Sequence, residues 1–169
     1  AIAVTVFWIL STDPTAPAGS LVVGVAAGQV ARSGGGVVQL IRFDGPAWTP
    51  TVVSGWNQSG AEAKLWQLVN GDRGNNGGRP IQQNSTLISL ARWRSKDMIL
   101  NDYFSHNIPA CGGCMVFHYY DTYGLKYSWG GENIGWNSGF SDTDSPVQIN
   151  ISFMNSAGHR ANILEPRFT

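Results

Sequence analysis

Two imidazoles and one carboxylate dominate the chemistry available to this chain. His106 ends the run Tyr103-Phe104-Ser105-His106, Glu132 sits in Gly131-Glu132-Asn133-Ile134-Gly135, and His159 lies in Ser156-Ala157-Gly158-His159-Arg160-Ala161-Asn162-Ile163-Leu164. If folding brings them together, they can do one of three things. They can ligate a divalent ion such as zinc through imidazole nitrogen and carboxylate oxygen. They can act as acid and base in a hydrolysis. They can form a buried polar network that holds neighbouring elements in register. Spacings of 26 and 27 residues do not by themselves choose among these. The plainer readings stand beside them: a histidine at a helix end caps carbonyls, and a glutamate beside an asparagine anchors a loop. No activated nucleophile is evident, since Ser105 and Ser156 are neighbours of a histidine only in sequence, and a triad is a matter of geometry.

Cys111 and Cys114 bracket two glycines. The pair suits a local disulfide in an oxidising compartment, a redox motif, or half of a metal site with His106. His118, inside Phe117-His118-Tyr119-Tyr120, reads as a packing residue among aromatics.

The elements that must position these groups follow from periodicity. Ser59 with Glu62 forms a capping-box pattern, and Leu65, Leu68 and Val69 continue it at helical spacing until Gly71 and the Gly74–Gly78 stretch. A second helix is predicted from Asn84 or Ser85, with Leu87, Leu90, Ala91 and Met98 on its apolar face and Arg92, Arg94, Lys96 and Asp97 mostly off it. It runs toward His106. Residues 107–145 predict short strands and loops. A third helix is predicted from Ser145-Pro146, with Val147, Ile151 and Met154 inward, followed by a further turn at His159–Leu164.

Residues 1–55 read as an extension to a domain at 56–169. The opening Ala1–Leu10 is too short to cross a bilayer. It reads either as the remnant of a signal or anchor helix or as a first strand carrying Val4, Val6 and Trp8. Leu21–Ala27 and Val37–Phe43, separated by Ser33-Gly34-Gly35-Gly36, suggest a hairpin.

Taken in order, Leu68-Val69-Asn70 with Arg73, Phe104-Ser105-His106, Gly131-Glu132-Asn133-Ile134 and the Met154–Leu164 segment resemble the bacterial branch of the CAP superfamily (cysteine-rich secretory protein, antigen 5 and pathogenesis-related 1). The resemblance covers residues from about 61 to 169. It implies an α+β fold, an α-β-α sandwich with a central antiparallel sheet and a cleft. Two histidines and two glutamates line that cleft in the family. His106, Glu132 and His159 match three of them, whereas the second glutamate falls on Ser156, so the four-residue set is incomplete. The family also continues past the Phe-Thr step with one or two strands. Here the sequence ends at Phe168-Thr169, so a partner or further chain is expected to complete the sheet edge.

The totals narrow the function classes. Lys and Arg number 11, Asp and Glu number 11, and the formal charge is +0. Nucleic acid and anionic lipid surfaces therefore have no electrostatic hold on it. The expected function is that of an extracellular or cell-envelope module, more an interaction domain than an enzyme. Its cleft would take a small ligand, a lipid, a cell-wall fragment or a divalent metal such as zinc. The alternatives are a metal-assisted hydrolase of peptide or cell-wall material, and a structural subunit that meets a protein partner or its own copies.

Overall fold

The computed structural model describes residues 2–11, 57–138 and 140–168. The proposed hairpin at Leu21–Ala27 and Val37–Phe43 lies outside them. The elements run β1 (Ile2–Ser11), α1 (Gln58–Asn75), α2 (Ser85–Leu100), a 3-10 turn (Pro109–Cys111), α3 (Phe117–Thr122), β2 (Trp129–Ser138), α4 (Ser145–Asn155) and α5 (Ala157–Leu164). The fold is mixed α and β. Among the described residues no helix is long and apolar enough to cross a membrane.

β1 and β2 pair antiparallel, with Val6 opposite Ile134 and Trp8 opposite Glu132. The strand reading of the opening segment is thus the conformation it adopts here. Residues of β2 alternate between two sets of helices, as a two-residue period requires. Glu132 and Ile134 face the α2 and α3 side, where Ile134 joins Leu87, Leu90, Met98 and Tyr120 in one apolar cluster. Trp129 and Asn133 face the other way; Trp129 clusters with Leu65, Val69, Phe153 and Phe168, and Asn133 bonds to α5. Glycine is needed where helices press on the strand. A Cβ on Gly135 would lie 2.9 Å from Phe153 Cε1, and one on Gly130 would lie 2.8 Å from Phe117 Cε1.

Several local expectations are corrected. The cap of α1 is Asn57, whose Oδ1 accepts from Gly60 N at 2.9 Å, while Glu62 turns to Arg92 instead of back to the helix start. The helix also passes through Gly71 and Gly74. Tertiary packing of Leu65, Val69 and Arg73, spaced four apart on one face, overrides two weak residues. α2 begins as expected after Asn84, whose Oδ1 accepts from Thr86 N and Leu87 N. Its buried stripe is Leu87, Leu90, Arg94 and Met98, so Arg94 is inside and not at the margin. The helix stops at Leu100, and His106 stands in the loop beyond it. α3 was not expected in the glycine-rich region; Val116 and Tyr120, both fully buried, anchor that short helix. α4 buries Ile149, Asn150 and Phe153, whereas Ile151 remains exposed, so its inward face is rotated from the expected one. Gly135 leaves the space that Phe153 and Ile149 occupy, and those two side chains also pack in the cluster with Leu65, Val69 and Ile163.

Candidate functional site

Glu132 is the centre of the site. Its carboxylate is 1 % exposed and is held from two sides. Arg94 Nε donates to Oε1 at 3.2 Å, and His106 Nδ1 lies 2.6 Å from Oε2. A buried carboxylate is tolerable only when its charge is matched and its lone pairs are bonded. Here α2 supplies the charge and the loop after α2 supplies the imidazole.

Arg94, itself fully buried, extends the network outward. Nη1 donates to Tyr103 Oη at 2.5 Å and lies 3.7 Å from Asp97 Oδ2, and Nη2 donates to Ser105 O at 2.7 Å. Tyr103 in turn donates to Asp97. Burial, together with that bond to Asp97, raises the Tyr103 phenol well above its ordinary range. Tyr103 is therefore a neutral donor at any physiological pH. Together these six groups bind α2, the loop to His106 and β2 into one polar unit.

His159 reaches the site from α5. It is 1 % exposed, and its ring packs on Phe153 with centroids 4.8 Å apart. Burial and the nearby His106 lower its pKa to about 4, with a backbone contact at Ile134 acting in the opposite sense. At neutral pH His159 is an uncharged imidazole. Its backbone is pinned by Asn133 Nδ2, which donates to His159 O at 3.1 Å, and Asn162 Nδ2 donates to Asn133 Oδ1 at 3.0 Å.

His106 and Glu132 are in direct contact at 2.6 Å, and His159 is near enough to His106 for the two rings to interact electrostatically. Ser156 is not drawn into a bond with them. It sits half-buried at the junction of α4 and α5, and its carbonyl accepts from Arg160 N at 2.8 Å. Among the described residues no group of three or more His, Cys, Asp or Glu is placed to hold a metal ion. Glu132 meets Arg94 through one oxygen and His106 through the other. Cys111 and Cys114 are joined as a disulfide, which removes them as ligands. His118 is exposed on α3, its ring edge-on to Tyr119 at 5.3 Å.

His106 Nε2 is buried without a hydrogen-bond partner among the described residues, and the buried His159 ring has the Ile134 backbone beside it as its one contact of that kind. Sequence reasoning missed Arg94, Tyr103, Asp97, Asn133 and Asn162. The first had a readable signal, since Arg94 falls four residues after Leu90 and four before Met98. A groove of about 370 Å³ lies elsewhere, between the first turns of α1 and the loop before α4, and is lined by residues such as Asn57, Lys64, Gln67 and Asp142. It contains none of the site residues, and its chemistry is unremarkable beside the histidine cluster.

A mixed α and β domain with a buried His–Glu–His cluster, ordered as in the motifs above, defines the class. Residues 66–169 match the family model described as CAP, the cysteine-rich secretory protein family, and the chain belongs to that family. A relative is the uncharacterized protein YkwD of Bacillus subtilis (strain 168), 37% identical over 111 residues. The match covers 66% of this chain and 40% of that relative, so the chain spans well under half of the relative's length. No solved structure matches the chain.

Proposed function

We propose that this CAP domain is an extracellular or envelope-attached binding module, built as an α-β-α sandwich, whose histidine cluster takes a small polar ligand. The observation that carries the reading is the set of open nitrogens. His106 Nε2 is buried and unpartnered among the described residues, and of the two buried His159 ring nitrogens only one is engaged, by the Ile134 backbone; a buried polar atom without a partner costs about 1–3 kcal/mol. A ligand bearing hydroxyl or amide groups, such as a soluble cell-wall fragment, would satisfy them. The neutral His159 offers it the ring nitrogen that the Ile134 backbone does not engage.

Metal-assisted hydrolysis is the weaker reading. Catalytic zinc sites use three protein ligands and an open position. Glu132 is committed to Arg94 and His106, which leaves imidazole nitrogens alone to ligate. The residues present do not fit that ion, and no step is derived through it.

The experiment is a side-chain nitrogen NMR titration of the histidines with a soluble disaccharide-dipeptide wall fragment. Saturable movement of the His106 and His159 signals is expected, with its loss in His106→Ala and His159→Ala. Unmoved signals at millimolar fragment would sink the reading. Zinc bound at one per chain and lost in both variants would restore the metal alternative.

A further inference from the structure

Cys111 and Cys114 are joined across a sequence separation of three, with Cα atoms 5.5 Å apart. A bridge over so short a loop restrains the unfolded chain less than one over a long loop. Its effect in the folded chain is local. Ile108 N donates to Cys114 O at 2.8 Å, and Gly113 N donates to Ile108 O at 3.0 Å, so the turn closes on Ile108. Gly112 and Gly113 hold φ of +72 and +92, and nothing lies within 4 Å of where a Cβ would stand on either. The outer side of the turn is therefore open. Both cysteines are half-buried, not enclosed. The inner side is Ile108, fully buried in the cluster shared by α2, α3 and β2. Two residues before Ile108 is His106, with Nδ1 on Glu132.

We propose that the Cys111–Cys114 bridge is a reversible redox staple, which exchanges with a dithiol partner while the domain stays folded and whose state sets the position of His106. A partner thiolate attacks one sulfur of the bridge. A mixed disulfide forms, the other cysteine leaves as thiolate, and it takes up a proton. The partner's second thiol then attacks the mixed disulfide. The partner departs as a disulfide, and Cys111 and Cys114 remain as two thiols, two electrons and two protons having passed to the chain. An oxidised partner reverses the sequence. With the bridge open, the turn keeps its backbone hydrogen bonds and the packing of Ile108 but loses its covalent tie across two glycines with access to many conformations. The loop that delivers His106 to Glu132 then loosens. The importance of this for ligand binding rests on the function proposed above; the exchange itself and the movement of His106 do not.

The test uses the chain without ligand. The folded protein is equilibrated with graded ratios of reduced to oxidised dithiothreitol. Thiols are trapped with a maleimide and counted by mass, and the histidine ring signals are recorded on the same samples. Two thiols per chain are expected where circular dichroism still reports an intact fold. The His106 ring signals should move by several line widths and return on reoxidation, and the Cys111→Ser/Cys114→Ser double variant should show the reduced position. Thiols that appear only when the chain unfolds overturn the proposal. So do His106 signals that coincide in oxidised, reduced and double-serine protein. Wall-fragment binding that fails while the redox shift persists supports the staple and removes only the binding reading.

Discussion

Replacing Glu132 by Gln removes one negative charge from the site with almost no change in shape. The carboxylate is 1 % exposed and Arg94 is fully buried, so solvent cannot compensate for the loss. Arg94 would keep Asp97 at 3.7 Å, a longer and less direct partner than Glu132 at 3.2 Å. The His106 contact at 2.6 Å would become a bond to a neutral amide. Breaking a buried pair from one side costs about 3–5 kcal/mol. At roughly 2–4 °C per kcal/mol for a chain of this size, the melting temperature should fall by on the order of 10 °C. Equilibrium urea unfolding of Glu132→Gln, Arg94→Met and the double variant supplies the measurement. The double variant should be more stable than the sum of the single losses suggests, with a coupling energy of about 2–3 kcal/mol. A single Glu132→Gln loss below about 1 kcal/mol, with no coupling, would refute the argument that Arg94 and Glu132 are each other's necessary counterions.

The depressed His159 pKa makes stability fall in acid. Its folded value of about 4 lies below the ordinary 6.5, so the unfolded chain binds the extra proton between those values. Stability from this group is complete above the ordinary value and is lost as pH falls toward 4. Between pH 7 and pH 5 the loss should be about 2 kcal/mol. His159→Phe should flatten that segment of the profile in urea unfolding, and equal slopes in the two proteins would show that His159 is not buried neutral. Glycine substitutions should split by location. Gly135→Ala meets Phe153 Cε1 at 2.9 Å and should destabilise by about 1–3 kcal/mol. Gly71→Ala, with nothing within 4 Å of its Cβ position inside α1, should stabilise by about 0.5–1 kcal/mol. Thermal melts that rank the two alike would count against the described contacts between α4 and β2.

The sequence marks the site better than it marks the scaffold. His106, Glu132 and His159 were legible because a motif carried each one, and the expectation that they share a pocket rested on the family resemblance, not on their spacing. The onset of α2 was legible because Asn84 is a strong local cap. The face of α4 was not, because Val147, Ile151 and Met154 obey helical spacing as well as Ile149 and Phe153 do. What decides between the two faces lies outside the helix, in the packing of Ile149 and Phe153 on α1 and α5 and in the space left at Gly135. α1 was cut short for a related reason: glycine propensity is local, while Arg73 near its end answers to residues some 90 positions away. Arg94 escaped notice because a charged residue on an apolar stripe is normally assigned to the margin. Its burial depends on Glu132, which is 38 residues distant in sequence.

Arg73 ties the closing segment to the start of the domain. Its guanidinium is completely buried and donates to Ile163 O at 2.7 Å, Glu165 O at 2.9 Å and Phe168 O at 2.7 Å, while Nε reaches Arg79 O at 2.7 Å. One side chain thus grips three carbonyls of the closing segment from the far side of the sequence. The Phe168 carbonyl therefore takes its orientation from a helix that begins at residue 58, so the last described turn of the chain answers to the first described helix.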